Sequence, residues 1–157
     1  MSDVYFDFIV IGGGSAGYAA ARTFHGDGYK VAVVDGGKEL SGLCILQGCM
    51  PSKTLIYSAE VFHLARQGSI FGVKNLNPKA DMAGMQKRKK EIIAEFANYR
   101  KGQLEDGRFS LFRSRAKFLD KHTIKIEDGS TLKADKILIS TGSKISMPPV
   151  PGLDLVS

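Results

Sequence analysis

The alternation of apolar and polar positions predicts strands and helices in turn along the first part of the chain. Residues 6–11 form a short apolar run bounded by glycines, which is typical of a buried strand. Residues 15–25 are rich in alanine and suit a helix packed closely on a sheet, and a second apolar strand at 30–34 ends at Asp35. The order strand, glycine turn, helix, strand predicts a parallel βαβ unit.

The remaining pattern predicts two long helices followed by several short strands. The helices run from Pro51 to about Gln67 and from Met82 to Glu105, and proline is favourable in the first turn of a helix. The strands are expected at 109–113, 116–119, 123–127, 131–134 and 136–140. The pattern therefore predicts an α/β fold of three layers, in which a parallel sheet carries a small antiparallel β-meander.

Composition narrows the class of protein. The chain has 157 residues, 43% of them hydrophobic, and 18 glycines, which fits one globular domain with an adequate core. It has no apolar run long enough to span a bilayer, and its first residues lack the basic flank of a secretory signal. We therefore expect a soluble cytoplasmic protein without a membrane segment.

The formal net charge of +6 raises the question of nucleic-acid binding. Part of this charge lies in the run Lys-Arg-Lys-Lys at 87–90. Ile92, Ile93 and Phe96 follow at helical spacing, which favours a solvent-exposed helix face over a nucleic-acid contact. No aromatic RNA platform or DNA-reading motif accompanies the run. We expect no nucleic-acid partner.

A glycine motif links the first strand to the first helix. Residues 12–17, Gly-Gly-Gly-Ser-Ala-Gly, match the dinucleotide-binding pattern G-x-G-x-x-G. Gly12 would allow the tight turn, Gly14 the approach of a pyrophosphate, and Gly17 close packing of helix on strand. The helix N-terminus offers free N–H groups to the phosphates, and Asp35 can accept hydrogen bonds from a ribose. The motif predicts dinucleotide binding without separating FAD from NAD.

The two cysteines, Cys44 and Cys49, lie close together in the sequence. In a cytosolic chain such a pair indicates catalysis or metal binding rather than a structural disulfide. Residues five apart in a regular α-helix have Cα atoms about 8–9 Å apart, whereas a disulfide needs about 4.4–6.8 Å. The pair can therefore close only if the segment departs from regular helix, which Gly48 allows. A helix starting at Pro51, with the cation Lys53, would lower the pKa of Cys49.

Three interpretations of the cysteine pair remain open at this point: a redox-active disulfide, half of a metal site, and two unreactive buried cysteines. A zinc site needs further ligands, and the three histidines show no ligand spacing with the pair. The positions of Gly48, Pro51 and Lys53 favour the redox-active disulfide. We expect no bound metal.

Together these motifs resemble those of the class I pyridine nucleotide-disulfide oxidoreductases, the family of dihydrolipoamide dehydrogenase, glutathione reductase and mercuric reductase. The resemblance extends from residues 12–17 through the cysteine pair to Ser-Thr-Gly-Ser at 140–143. The glycine turn occurs in many families, whereas Cys-x4-Cys-x-Pro-Ser-Lys, at 44–53, is highly specific. The implied fold is the Rossmann-like FAD-binding domain, of which this chain would be the N-terminal part.

The resemblance implies an enzyme that binds FAD and takes reducing equivalents from NADH or NADPH, whose site would lie outside this chain. Cys44 would attack the substrate, Cys49 would be the thiolate beside the flavin, and Lys53 would lie near flavin N5 and tune its electronics. The ribose would lie at Asp35 and the adenine near Ala116. The residues expected to contact FAD are Gly12, Gly14, Ser15, Ala16, Gly17, Asp35, Gly36, Gly42, Leu43, Cys44, Gly48, Cys49, Lys53, Ala116, Thr141 and Gly142.

Two positions depart from the family pattern. The usual Gly-Gly-Thr before the first cysteine reads Ser41-Gly42-Leu43, so a hydroxyl expected to help hold the pyrophosphate is missing. Ser114 stands where glycine is common, shortly before Ala116. Neither change removes a redox atom.

Members of the family are also much longer than this chain. Residues 1–150 would form the first segment of the FAD-binding domain, with a helical excursion at about 51–106, and residues 151–157 would be a linker toward a missing NAD(P)-binding domain. The interface domain, which supplies a His-Glu pair across a homodimer in the family, is missing as well. We therefore expect this chain to be inactive alone.

Three functions are weighed on this basis. The leading one is a dihydrolipoamide dehydrogenase-like enzyme acting on a small-molecule or protein disulfide. A mercuric reductase-like enzyme is the second, and a non-catalytic module that binds FAD or another nucleotide is the third. Flavin content separates the third function from the first two, and substrate assays on a longer form separate the first two.

Overall fold

The structure is a computed structural model that describes residues 4–74, 77–144 and 146–155. Its strands are β1 (Val4–Ile11), β2 (Val31–Val34), β3 (Ser110–Phe112), β4 (Ala116–Asp120), β5 (Thr123–Ile126) and β6 (Thr131–Ile139). They form one sheet in the order β3-β2-β1-β6-β5-β4. The first four strands in this order are parallel, and β5 and β4 continue the sheet as an antiparallel meander.

The described residues also form helices α1 (Ser15–Gly26), α2 (Gly42–Leu46), α3 (Cys49–Arg66) and α4 (Met82–Glu105), with short 3-10 turns at Gly68–Phe71 and Leu153–Leu155. Helix α1 connects β1 to its parallel neighbour β2, so the predicted βαβ unit is confirmed. The predicted linker at 151–157 ends outside the described residues, at Val156 and Ser157.

Each face of the parallel sheet carries its own apolar cluster. Strand residues alone form the first cluster, in which Phe6 packs with Ile124 of β5 and Leu132 of β6. Helices α1 and α4 cover the other face, where Ala21 and Leu104 are fully buried. Helices α1 and α4 thus pack on one face of a mixed sheet whose other face is filled by strand residues, which confirms the predicted α/β, Rossmann-like fold class.

Three element boundaries differ from the prediction. The runs at 131–134 and 136–140 form one strand, because Asp135 accepts a hydrogen bond from the Tyr5 hydroxyl and interrupts the apolar pattern without ending the strand. Helix α2 has no counterpart among the predicted elements. Helix α3 begins at Cys49 rather than Pro51. Pro51 is then its third residue, where a backbone N–H would still lack a partner within the helix.

The basic run at 87–90 lies on the N-terminal half of α4 and is largely exposed. Lys87 forms an ion pair with Glu91 at 3.9 Å, and Arg88 lies 5.9 Å from the centre of the Tyr57 ring on α3. The prediction of a solvent-exposed helix face is confirmed. Within the described ranges, no helix combines the length and the apolar character needed to cross a membrane.

Candidate nucleotide and thiol site

The glycine motif forms a turn that only glycine can adopt at two of its positions. Gly12 has a φ angle of 101°, and a Cβ atom there would collide with the carbonyl of Ser140. A Cβ atom on Gly17 would overlap the carbonyl oxygen of Gly12 and lie 2.6 Å from Oγ of Ser140. The first turn of α1 begins at Gly14 without a side-chain cap. Its backbone N–H groups are therefore free of side-chain competition, as phosphate binding requires.

Asp35 directly follows β2 and lies against this turn. The side chain is buried, with Oδ2 accepting a hydrogen bond from the backbone N–H of Gly13 at 2.7 Å and Oδ1 from that of Gly37 at 2.8 Å. An ionised carboxylate has about four acceptor positions. The two bonds therefore orient Asp35 and leave it capacity to accept hydrogen bonds from a ligand.

An open groove of about 840 Å³ runs across the ends of the parallel strands. Its lining includes nine of the residues predicted to contact FAD: Gly12, Gly14, Asp35, Gly36, Gly42, Leu43, Ala116, Thr141 and Gly142. Ligands of open α/β sheets bind at this edge, outside the carboxyl ends of the strands. The fold thus brings together segments that are far apart in the sequence.

The starts of α1 and α2 pack directly on each other beside the groove. A Cβ atom added to Gly42 would lie 2.5 Å from the Cα atom of Gly14. Ser41, which stands where the family has glycine, adopts a left-handed backbone with a φ angle of 109°. This conformation is unfavourable for serine, and the buried Ser41 hydroxyl donates a hydrogen bond to the carbonyl of Ala97 on α4 at 3.0 Å. That bond offsets part of the strain.

The cysteine pair lies where α2 ends and α3 begins. Cys44 is in the middle of α2, Cys49 is the first residue of α3, and both are free thiols. A Cβ atom added to Gly48, between the two helices, would lie 3.4 Å from the Cα atom of Cys44. The break between the two helices leaves the two thiols near enough for each to shift the pKa of the other. The predicted departure from regular helix is therefore confirmed.

The two thiols differ in acidity. The hydrogen bond from Cys49 lowers the pKa of Cys44, and the Ser15 hydroxyl and the charge of Arg100 lower it further against the opposing effect of desolvation. The same hydrogen bond raises the pKa of Cys49, desolvation adds to the rise, and the charge of Lys53 opposes it. The direction for Cys49 is opposite to the expected low pKa, because the hydrogen bond with Cys44 and desolvation outweigh the charge of Lys53.

Seven predicted contact residues lie outside the groove lining: Ser15, Ala16, Gly17, Cys44, Gly48, Cys49 and Lys53. Ser15 and Ala16 open α1, and the Ser15 hydroxyl contacts the Cys44 thiol. Lys53 is exposed and lies one helical turn after Cys49, on the same face of α3. Ser15 therefore connects the glycine turn to the cysteines.

Several cations near the site have no marker in the sequence. Arg115 and Lys144 line the groove, and Arg113 bonds to the backbone of residues 35–38. Arg100 on α4 lies over the Tyr18 ring, 3.9 Å from its centre. In the sequence, only the net positive charge hints at these cations, because no motif or spacing distinguishes them from other surface cations. Within the part of the chain that the structure describes, no cluster of three metal-ligating side chains occurs.

Fold and site together define a class: an α/β protein with a dinucleotide-type groove and an adjoining pair of thiols. The chain belongs to the family of pyridine nucleotide-disulphide oxidoreductases, whose model matches residues 6–157. Members of this family use FAD and NAD(P)H.

Curated relatives include a mercuric reductase of Bacillus cereus, 33% identical over 96% of this chain and 24% of that protein. A dihydrolipoyl dehydrogenase of Chlorobaculum parvum is 34% identical over 98% of this chain and 33% of that protein. Among solved structures, the HOCl-induced flavoprotein disulfide reductase RclA of Escherichia coli superposes with a TM-score of 0.71 and 27% identity, over 94% of this chain and 31% of that one. The chain thus spans about a quarter to a third of the length of these proteins.

Proposed function

We propose that this chain is the FAD-binding, thiol-bearing portion of an NAD(P)H-linked dithiol–disulfide oxidoreductase. One observation carries the proposal: Cys44 and Cys49 lie on adjoining helices, near enough to shift each other's pKa, and Ser15 at the start of α1 acts on Cys44 from beside the glycine turn. A nucleotide groove alone would suit many proteins. A thiol pair beside it suits electron transfer between a flavin and sulfur.

The groove fits FAD on three counts. Gly12 and Gly17 leave no room for a side chain, which fixes the tight turn and the close packing of α1, and the uncapped N-terminus of α1 then offers its backbone N–H groups to a pyrophosphate. Asp35 is oriented for a ribose, and Ala116, Thr141 and the other lining residues extend the groove on both sides. Leu43 contributes an apolar side chain where the family has a hydroxyl, so the pyrophosphate would depend more on the backbone of α1.

The residues of the pair would act in sequence on a disulfide substrate. The Cys44 thiolate attacks one substrate sulfur and forms a mixed disulfide, while the second substrate sulfur leaves as a thiolate and takes up a proton. Cys49 then loses its proton and attacks Cys44, which forms the Cys44–Cys49 disulfide and releases the first substrate sulfur. The substrate gains two electrons and the pair loses two. The lowered pKa of Cys44 supports its role as the nucleophile.

Bound FAD would supply the two-electron chemistry that returns the pair to the dithiol at the expense of NAD(P)H. Lys53, one turn after Cys49, would place a positive charge at the flavin side of the pair. We propose that residues 1–150 form the first segment of the FAD-binding domain and that residues 151–157 lead toward an NAD(P)-binding domain. The complete protein would be a cytoplasmic homodimer acting on a small-molecule or protein disulfide.

An anaerobic titration tests the coupling of thiols and flavin. The chain is loaded with FAD, its Cys44–Cys49 pair is first oxidised to the disulfide, and the visible spectrum is followed as two electrons per flavin are added from dithionite. We expect a long-wavelength absorption band from a thiolate beside the flavin, and its loss in Cys49→Ser. Flavin that bleaches directly, without the band, would contradict the proposal and favour a non-catalytic nucleotide-binding module. Sustained NAD(P)H-dependent disulfide reduction by residues 1–157 would contradict the expected inactivity of this segment alone.

Mercuric ion reduction is a second candidate, because the curated relatives include mercuric reductases of Bacillus cereus, Lysinibacillus sphaericus and Staphylococcus aureus. Two soft thiolates suit a soft metal ion. Parallel assays of a longer form with lipoamide and with Hg²⁺ decide between the two. If the longer form reduces Hg²⁺ and not lipoamide, the substrate is the metal ion and not a disulfide.

A further inference from the structure

One arginine holds the loop that follows β2. Arg113, directly after β3, donates from Nη2 to the carbonyl oxygens of Gly37 at 2.7 Å and Lys38 at 3.4 Å. Its Nη1 donates to the carbonyl of Asp35 at 3.3 Å and lies 3.5 Å from Oδ1 of the same residue. A guanidinium is planar and carries five N–H donors in a fixed arrangement. This single side chain therefore serves four oxygens of residues 35–38.

The loop needs such support because of its composition. Two glycines, Gly36 and Gly37, follow Asp35, and glycine has the greatest backbone freedom to lose on folding. A Cβ atom added to Gly36 would lie 2.9 Å from the backbone nitrogen of Arg115. The loop is thus pressed against the segment that begins at Arg113.

That segment is itself fixed to the meander. The backbone N–H of Arg115 donates to the Glu127 carboxylate at 3.3 Å, and the N–H of Glu127 donates to Oγ of Ser114 at 3.0 Å. Arg113 therefore extends from a restrained strand connection rather than from a free loop, and its head group reaches the loop from a defined position.

The restraint reaches the glycine turn through Asp35. Its carboxylate accepts hydrogen bonds from Gly37 on one side and from Gly13 on the other, at 2.8 and 2.7 Å. Because Arg113 bonds to the carbonyls of Asp35 and Gly37 and lies beside Oδ1, its removal would free both the loop and the carboxylate to change orientation.

We propose that Arg113 is a positioning residue for the ribose of an adenine nucleotide, because it holds residues 35–38 and the Asp35 carboxylate in the conformation that accepts the ribose hydroxyls. The inference rests on the proposed function, in which the groove binds the adenosine half of FAD. Arg113 acts through Asp35 and not by touching the ribose.

The test compares ADP with 2′-deoxy-ADP by calorimetry on the full chain and on Arg113→Met. ADP carries the ribose and pyrophosphate without the flavin, and the deoxy analogue removes one hydroxyl partner of Asp35. We expect the parent chain to prefer ADP by about tenfold, or about 1.4 kcal/mol. In Arg113→Met the preference should fall toward one and ADP affinity should fall about tenfold. Lys117→Met, which removes an exposed cation on β4, should change neither quantity.

Arg113→Lys keeps the positive charge but loses the planar arrangement of N–H donors, so we expect it to retain only part of the preference for ADP over 2′-deoxy-ADP. This second variant keeps the test valid if urea unfolding shows that Arg113→Met is poorly folded. An unchanged ADP preference in either folded variant would overturn the inference, even if both nucleotides bind more weakly, because general loosening lowers both affinities together. If neither ADP nor FAD binds the parent chain, the proposed function itself fails. If FAD binds and the thiolate band forms, an unchanged ADP preference overturns only the inference on Arg113 and leaves the proposed function intact.

Discussion

Replacing Gly17 by alanine tests how closely α1 must lie against the turn after β1. The added Cβ atom would overlap the carbonyl oxygen of Gly12 and lie 2.6 Å from Oγ of Ser140, whereas carbon atoms pack best at about 3.5–4.0 Å. Neither neighbour can move alone, because the Ser140 hydroxyl donates to the Gly12 carbonyl at 2.8 Å. Helix α1 must therefore shift away from the sheet.

The magnitude follows from two opposing terms. Overpacking of a well-packed site costs about 3 kcal/mol at the upper end of its usual range. Alanine gains about 1 kcal/mol over glycine from its higher helix propensity. The free energy of unfolding should therefore fall by about 2 kcal/mol. With a denaturant slope of about 2 kcal/mol per molar, the urea midpoint should fall by about 1 M.

Urea unfolding followed by far-UV circular dichroism measures this shift. Gly102→Ala is the matched control, since Gly102 lies inside α4 and a Cβ atom there meets no neighbour within 4 Å. The control should be more stable than the parent by about 0.5–1 kcal/mol. A Gly17→Ala chain that unfolds at the parent midpoint would show that α1 can move at no cost, and the close-packing argument for this glycine would be wrong.

Two further predictions concern the thiols and the longest helix. Cys49→Ala removes the hydrogen bond that lowers the pKa of Cys44, so the pH midpoint for alkylation of Cys44, read by mass spectrometry, should move upward; a downward move would contradict the assigned donor. Asp81→Ala removes the cap of α4, whose carboxylate accepts from the backbone N–H of Gly84 at 3.0 Å; unfolding should become easier by about 1 kcal/mol. Asp81→Asn keeps an accepting oxygen and should retain most of the stability, and equal losses in both variants would argue against the cap.

The backbone of the nucleotide site could be predicted well from the sequence, because glycine records a steric requirement directly. Gly12 and Gly17 occupy positions where any Cβ atom would collide with neighbouring backbone. Gly48 likewise signals the break between α2 and α3 that brings the cysteines together. These features depend on local geometry, which residue type and spacing reveal.

The side-chain network was not predictable in the same way. The hydrogen bonds of Arg113 join residues 75 to 78 positions away in the sequence, and an arginine after a strand carries no sign of its partner. The relative acidity of the cysteines depends on which thiol donates to the other. The prediction from the N-terminus of the helix and Lys53 did not include this hydrogen bond. The sequence pattern predicted two strands, one on each side of Asp135. The pattern does not reveal that Asp135 accepts a hydrogen bond from Tyr5 on the neighbouring strand β1 and so fits within a single strand.

The position of β1 in the sheet imposes an order on folding during synthesis. β1 lies between β2, which follows soon after it, and β6, which is made only after both long helices. One edge of β1 thus stays unpaired while most of the described chain emerges, and pairing so distant in sequence slows folding. Ser140, directly after β6, bonds to the backbone of Ile11 and Gly12 and closes the turn. This closure of the glycine turn therefore has to wait until β6 has been synthesised and paired with β1.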